Sequence, residues 1–132
     1  MSAMSQYKFS ERSEAFCQDL FQNMFDTSDA IYGILISTVD GHDVSKSFSR
    51  DMPAAKLSAM MSAILALGET IAVEAEQQQC RYVIVENSDG YILTLKIKDK
   101  LILSVIATTQ ANLGMLHSVS RNAAEKLAAQ LR

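Results

Sequence analysis

The chain has 132 residues, enough for one domain with a continuous core and too few for two ordinary ones. Its 48% hydrophobic and 20% charged content describes a globular chain rather than a disordered one, and a formal net charge of −3 without a basic cluster argues against a nucleic-acid partner. No stretch reads as long enough to cross a bilayer, and Met1 to Glu14 lacks the apolar run of a secretory signal, so a cytoplasmic protein without membrane insertion is expected.

Residues 1–132 form a single domain in this reading, with 1–10 polar and expected to be flexible. Phe16, Cys17, Leu20, Phe21 and Met24 then recur at helical spacing against Glu14, Gln18, Asp19, Gln22 and Asn23, the pattern of an amphipathic helix. Turn formers occupy 26–29. Ile31 to Val39 is apolar on both alternating faces, as expected of a central strand covered on both sides. Asp40-Gly41 is a two-residue hairpin signal of the type I′ class, in which both central residues need positive φ. His42 to Ser49 is the return strand, polar enough for a sheet edge.

Pro53 opens a helix over Ala54 to Ala75 that has no charged face. Leu57, Met60, Met61, Ile64, Leu67, Gly68 and Ile71, flanked by Leu65 and Ala72, form a broad apolar arc expected to cover the sheet. The opposite side holds Ala59, Ser62, Ala63, Ala66, Thr70 and Val73, with Glu69 the only charge between Leu57 and Val73. A helix that is apolar or small all round is usually buried on both sides, yet a chain of this length has little room for an interior helix. A second copy meeting the small face about a two-fold axis resolves the conflict, so a homodimer is expected.

After the polar run 74–79, Cys80 to Glu86 is strand-like, Ser88-Asp89-Gly90 turns, and Tyr91 to Lys98 alternates with period two. Asp99-Lys100 leads into Leu101 to Thr108, another strand apolar on both faces. A final helix from about Asn112 carries Leu116, Val119, Ala123, Leu127 and Leu131 on one stripe. The order is α-β-β-α-β-β-β-α, and the short links between strands make the sheet antiparallel. The fold class is α+β, a five-stranded antiparallel sheet flanked by helices.

Little here points to catalysis. His42 and His117 have no metal-ligand spacing and read as solvated surface side chains; Cys17 and Cys80 fit no CxxC pattern and read as reduced and partly buried. Cys80 beside Arg81 lacks a visible base. No phosphate-binding loop is present, so neither a cofactor nor a metal is expected. Gly114, at the approach to the last helix, reads as a turn or packing glycine. Arg50, Arg81 and Arg121 could each reach into a partner GTPase, and Met52 offers an adaptable apolar contact. Arg50, Met52 and Arg81 are the candidate partner contacts.

Three segments together resemble the Roadblock / dynein light chain family, in particular its bacterial, MglB-like members. They are Ile34-Leu35-Ile36-Ser37-Thr38-Val39-Asp40-Gly41, the Ala/Met/Ser-rich helix, and Thr109-Gln110-Ala111-Asn112-Leu113-Gly114-Met115-Leu116 leading into Ala123-Ala124-Glu125-Lys126-Leu127. The resemblance implies a homodimer in which the middle helices pack together and the sheets join through the third strand, here Arg81 to Asn87, adding Tyr82 and Ile84 to the interface. It also implies a non-catalytic regulator or activator of a Ras-like small GTPase. The competing readings are a scaffold or light-chain-like adaptor with no effect on hydrolysis, and a small-molecule sensor domain.

Overall fold

The computed structural model describes residues 8–131. Residues 1–7, most of the segment expected to be flexible, lie outside the described residues. The elements are α1 (Glu11–Thr27), β1 (Ile31–Thr38), β2 (Asp43–Phe48), α2 (Ala54–Glu74), β3 (Val83–Asn87), β4 (Gly90–Lys98), β5 (Leu101–Thr108) and α3 (Leu113–Gln130). The strands form one antiparallel sheet in the order β2-β1-β5-β4-β3, so β2 and β3 are its edges.

Local chemistry explains where the flanking helices start. Ser10 caps α1 by accepting from the Ser13 amide at 3.1 Å, and Asn112 caps α3 by accepting from the Met115 amide at 3.0 Å. Helix α1 buries Cys17, Leu20, Phe21 and Met24 on one stripe, and Phe9 packs against the same core ahead of the cap. Helix α3 buries Leu116, Ser120, Ala123, Ala124 and Leu127. The core lies between these two helices and one face of the sheet, filled by Ile34 and Ile36 of β1, Leu93, Leu95 and Ile97 of β4, and Leu101, Leu103 and Val105 of β5. Within it, burial pushes the Cys17 thiol up to about 12, the Glu14 charge adding to the effect and a hydrogen bond with Ser45 opposing it. Period-two alternation sends Leu35 and Ser37 to the other face, which α2 covers.

Two turns depart from the sequence reading. In the first hairpin only Gly41 has positive φ, at +94°, so the type I′ expectation is corrected. The Gly41 amide donates to the Thr38 carbonyl at 2.9 Å, and the β1–β2 ladder shifts register between Ile36 and Ser37. The turn therefore spans Thr38 to Gly41 and ends on a left-handed glycine, leaving a bulge to absorb the extra residue. At the end of α2 the chain closes in a Schellman arrangement: Gln77 donates to the Ala72 carbonyl at 2.7 Å and Glu76 to that of Val73 at 3.1 Å. Glu76, with φ 58°, holds the left-handed position that glycine normally takes.

Helix α2 also corrects the reading that no segment is long enough for a bilayer. Its length and composition meet that requirement, and only 22% of its apolar window is buried within the protomer. The small residues that make the helix look neutral also keep its mean hydropathy high.

Two outcomes test this local reading in chemical denaturation. Glu76→Gly relieves an L-residue from the left-handed region and is expected to raise the unfolding free energy by about 0.5–1 kcal/mol. Gly90→Ala is expected to lower it by at least ~2 kcal/mol, because a Cβ there would stand 2.3 Å from the Ala107 carbonyl oxygen in β5.

Candidate partner-binding surfaces

Helix α2 meets the sheet through Ala54, Ser58, Met61, Leu65 and Ala72, its buried residues. Below them the sheet offers Gly33, Ser37, Thr94 and Ser104, the last two sharing a hydrogen bond at 2.9 Å between their hydroxyls. Leu35, Ile102 and Ile106 share that sheet face, so large aliphatic and small or hydroxylic side chains meet across the contact. Gly68 stands against the segment that leads into β3: an added Cβ would lie 2.7 Å from the Cys80 sulfur and 3.3 Å from a Val83 methyl.

Met61, Leu65 and Ala72 of the expected sheet-covering arc do face the sheet, together with Ala54 and Ser58, but the rest of the arc is corrected. Leu57 and Ile64 are only half-buried, while Met60, Leu67, Ile71 and Val73 are 54%, 57%, 55% and 65% exposed. They share the outer face with Ala59, Ala63, Ala66 and Thr70, which are also exposed. Ser62, expected on the same face, is half-buried and its hydroxyl donates to the Val39 carbonyl at 2.5 Å.

The outer edge of β3 has no strand partner among the described residues. Ile84 directs its side chain into the α1/α3 core, so at this edge it offers backbone. The strand begins at Val83 rather than Cys80, because the preceding segment is held away from the sheet. The Cys80 amide donates to the Glu69 carboxylate at 3.3 Å, and the Tyr82 ring stacks on His117 of α3 with centroids 4.3 Å apart.

That displacement opens a cleft of about 860 Å³. Arg81 and Tyr82 from the segment before β3, Lys96 and Lys98 of β4, and His117 and Arg121 of α3 are among the residues that line it. Lys96 pairs with Glu69 at 3.5 Å, and the Lys98 ammonium donates to the Leu131 carbonyl at the end of α3. Arg81 and Arg121 have no acidic partner among the described residues. Sequence reasoning named Arg81 but missed the company it keeps. The i, i+4 spacing of His117 and Arg121, which puts both on one helix face, was the available signal.

Arg50 and Met52 lie at the other edge of the sheet, beyond β2, so the structure does not bring them to Arg81. The Arg50 guanidinium sits 3.7 Å over the Tyr32 ring, a cation–π contact that orients it. Met52 is half-buried just ahead of α2. His42 and His117 are half-buried rather than solvated, which corrects their surface reading. Among the described residues no group of three His, Cys, Asp or Glu side chains could hold a metal ion.

A family model described as the Roadblock/LC7 domain matches residues 17–108. No curated protein sequence matches the chain. Among solved structures, an MglB described as having a tetrameric arrangement superposes with a TM-score of 0.85 at 13% identity, covering 92% of this chain and 91% of that one. Gliding protein MglB from Thermus thermophilus gives 0.84 at 12% identity with 92% of each chain covered, and Myxococcus xanthus MglB gives 0.76 at 14% identity, covering 90% and 94%. At these identities the structures speak to the fold, a five-stranded antiparallel sheet with the same helices. The family model spans all five strands together with the central helix, and on that ground the chain belongs to the Roadblock/LC7 domain family.

Proposed function

We propose that the protein is a non-catalytic homodimeric regulator of a Ras-like small GTPase, acting in the cytoplasm. The observation that carries the dimer is the exposed stripe of Met60, Leu67 and Ile71 on α2. Contiguous apolar surface of this kind marks an interaction site.

A second copy is the occupant that the stripe suits best. If two α2 helices pack antiparallel about an axis beside Leu65, Ala59 falls opposite Ile71, Ala63 opposite Leu67, Ala66 opposite Ile64 and Thr70 opposite Met60. Each large side chain meets a small one, and Lys56 at one end meets Glu74 at the other. A parallel pairing would set like against like. Burying the exposed parts of Met60, Leu67 and Ile71 contributes roughly 1 kcal/mol apiece, about 6 kcal/mol over two copies, against an association cost on the order of 4–15 kcal/mol. Helix packing alone is therefore near break-even. Backbone pairing between two β3 edges, with Tyr82 and Ile84 contributing main-chain groups, supplies the remainder at about 0.5–1.5 kcal/mol per hydrogen bond.

Family membership supports the regulatory reading, as does the absence of a nucleotide-binding motif in a chain whose exposed surfaces are suited to proteins. The dimer would act by position, holding the GTPase's own switch residues where they orient water and neutralise charge on the γ-phosphate. Arg50 and Met52, beside the start of α2, and Arg81 at the opposite edge are its candidate contacts.

Light scattering tests the dimer. Wild type is expected at twice the protomer mass, and Ala63→Arg at the protomer mass with an unchanged far-UV spectrum, since Ala63 is exposed in the protomer. Leu67→Ala and Ala63→Leu should each weaken the dimer and the double variant restore it; a monomeric wild type overturns the reading. The regulatory proposal is tested by GTP turnover of small GTPases from the same source. Acceleration of about tenfold or more with a cognate partner supports it. A complex with unchanged turnover makes the protein an adaptor, and no complex with any of them removes the GTPase.

A further inference from the structure

The cleft below β3 carries more positive charge than the protein's overall balance leads one to expect. On a chain of net charge −3, Arg81, Lys96, Lys98 and Arg121 line one depression together with His117, against only Glu69 and Asp99. Two of those cations already have a partner, Lys96 with Glu69 and Lys98 with a main-chain carbonyl. The two guanidiniums do not. Arginine is the side chain best matched to carboxylates, through parallel N–H donors.

The β4 part of the cleft lining is a strand edge. The β3–β4 ladder ends at the pair Val83 and Thr94, so Leu95 to Lys98 have no strand neighbour on that side. Unpaired edge backbone of this length, about 13 Å at the usual rise per residue, is a template for one more short strand. Cys80, bonded to Glu69 and packed on Gly68, and Tyr82, stacked on His117, keep the chain's own segment from filling the place.

A strand added there would send successive side chains to opposite faces of the sheet. Cations stand on both. Lys96 points to the α2 face, where Glu69 lies. Across the register shift between Lys96 and Lys98, Lys98 turns to the α3 face, where it meets the end of that helix. Arg121 of α3 lines the cleft as well. Consecutive acidic residues would therefore find a cation on either side, an arrangement that a single compact anion cannot use.

We propose that this cleft binds an extended acidic segment of a protein partner, which adds a short strand to β4 at Leu95–Lys98 and sets its carboxylates against Arg81 and Arg121. The site is independent of the GTPase reading. It belongs to the protomer and requires no particular enzyme as its partner.

Fluorescence anisotropy with a labelled deca-glutamate peptide tests it, alongside a deca-glutamine peptide and a deca-glutamate N-methylated at alternate amides. The acidic peptide should bind, weaken as salt rises, and lose about tenfold or more in affinity with the Arg81→Ala/Arg121→Ala double variant. The glutamine and N-methylated peptides should bind at least about tenfold more weakly. Amide shifts on binding should map to Leu95–Lys98. Arg12→Ala/Lys126→Ala, which removes two exposed cations from α1 and α3 outside the cleft, should leave binding unchanged. Equal binding of the N-methylated peptide overturns strand addition. Equal loss in the two double variants, or displacement by inorganic phosphate at the same charge concentration, overturns the site.

Discussion

Helix α2 meets the sheet with Met61 and Leu65 as well as Ala54, Ser58 and Ala72, and the strands answer with Leu35, Ile102 and Ile106 beside Gly33, Ser37 and Ser104. Much of what distinguishes this protein follows from how this helix is seated. A helix has one circumference to share out, so facing Met61 and Leu65 to the sheet leaves Met60, Leu67 and Ile71 outside. The same seating brings Gly68 against Cys80, which holds the segment before β3 beside the helix instead of in the ladder. Strand β3 is thereby shortened, and the far end of β4 is left open.

The two faces of the sheet have different roles. Between α1, α3 and their face lies a conventional core of branched aliphatic side chains, deep enough to hold the Cys17 thiol in its neutral form. The α2 face mixes aliphatic side chains with hydroxyls, and the buried hydroxyls of Ser37 and Ser58 have no hydrogen-bond partner among the described residues. Burial of apolar area is the main stabilising term in folding, so the α1/α3 side contributes most to holding the protomer together. The α2 side is left to present a surface.

Charge is distributed in a similar way. The acidic residues are dispersed along the chain, while four of its cations converge on one cleft from β4, α3 and the segment before β3. No short window of sequence contains that cluster. It arises because an antiparallel sheet places β4 beneath both the end of α2 and the start of α3, so residues distant in sequence share one rim.

Element type and order were legible from the residues alone, since period-two and period-3.6 patterns, caps at Ser10 and Asn112, and glycine-bearing turns act over a few neighbours. The charge-free character of α2 was legible too, and with it the need for something to cover the helix. Only the tertiary structure decided which side of α2 faces inward. Hydrophobicity favoured the large side chains for the sheet, and Met61 and Leu65 do face it, but Ala54, Ser58 and Ala72 take the rest of that face while Met60, Leu67 and Ile71 turn outward. Nor could the start of β3 and the neighbours of Arg81 be read from sequence: both depend on the approach of Gly68 to Cys80, a contact between residues that no periodicity links.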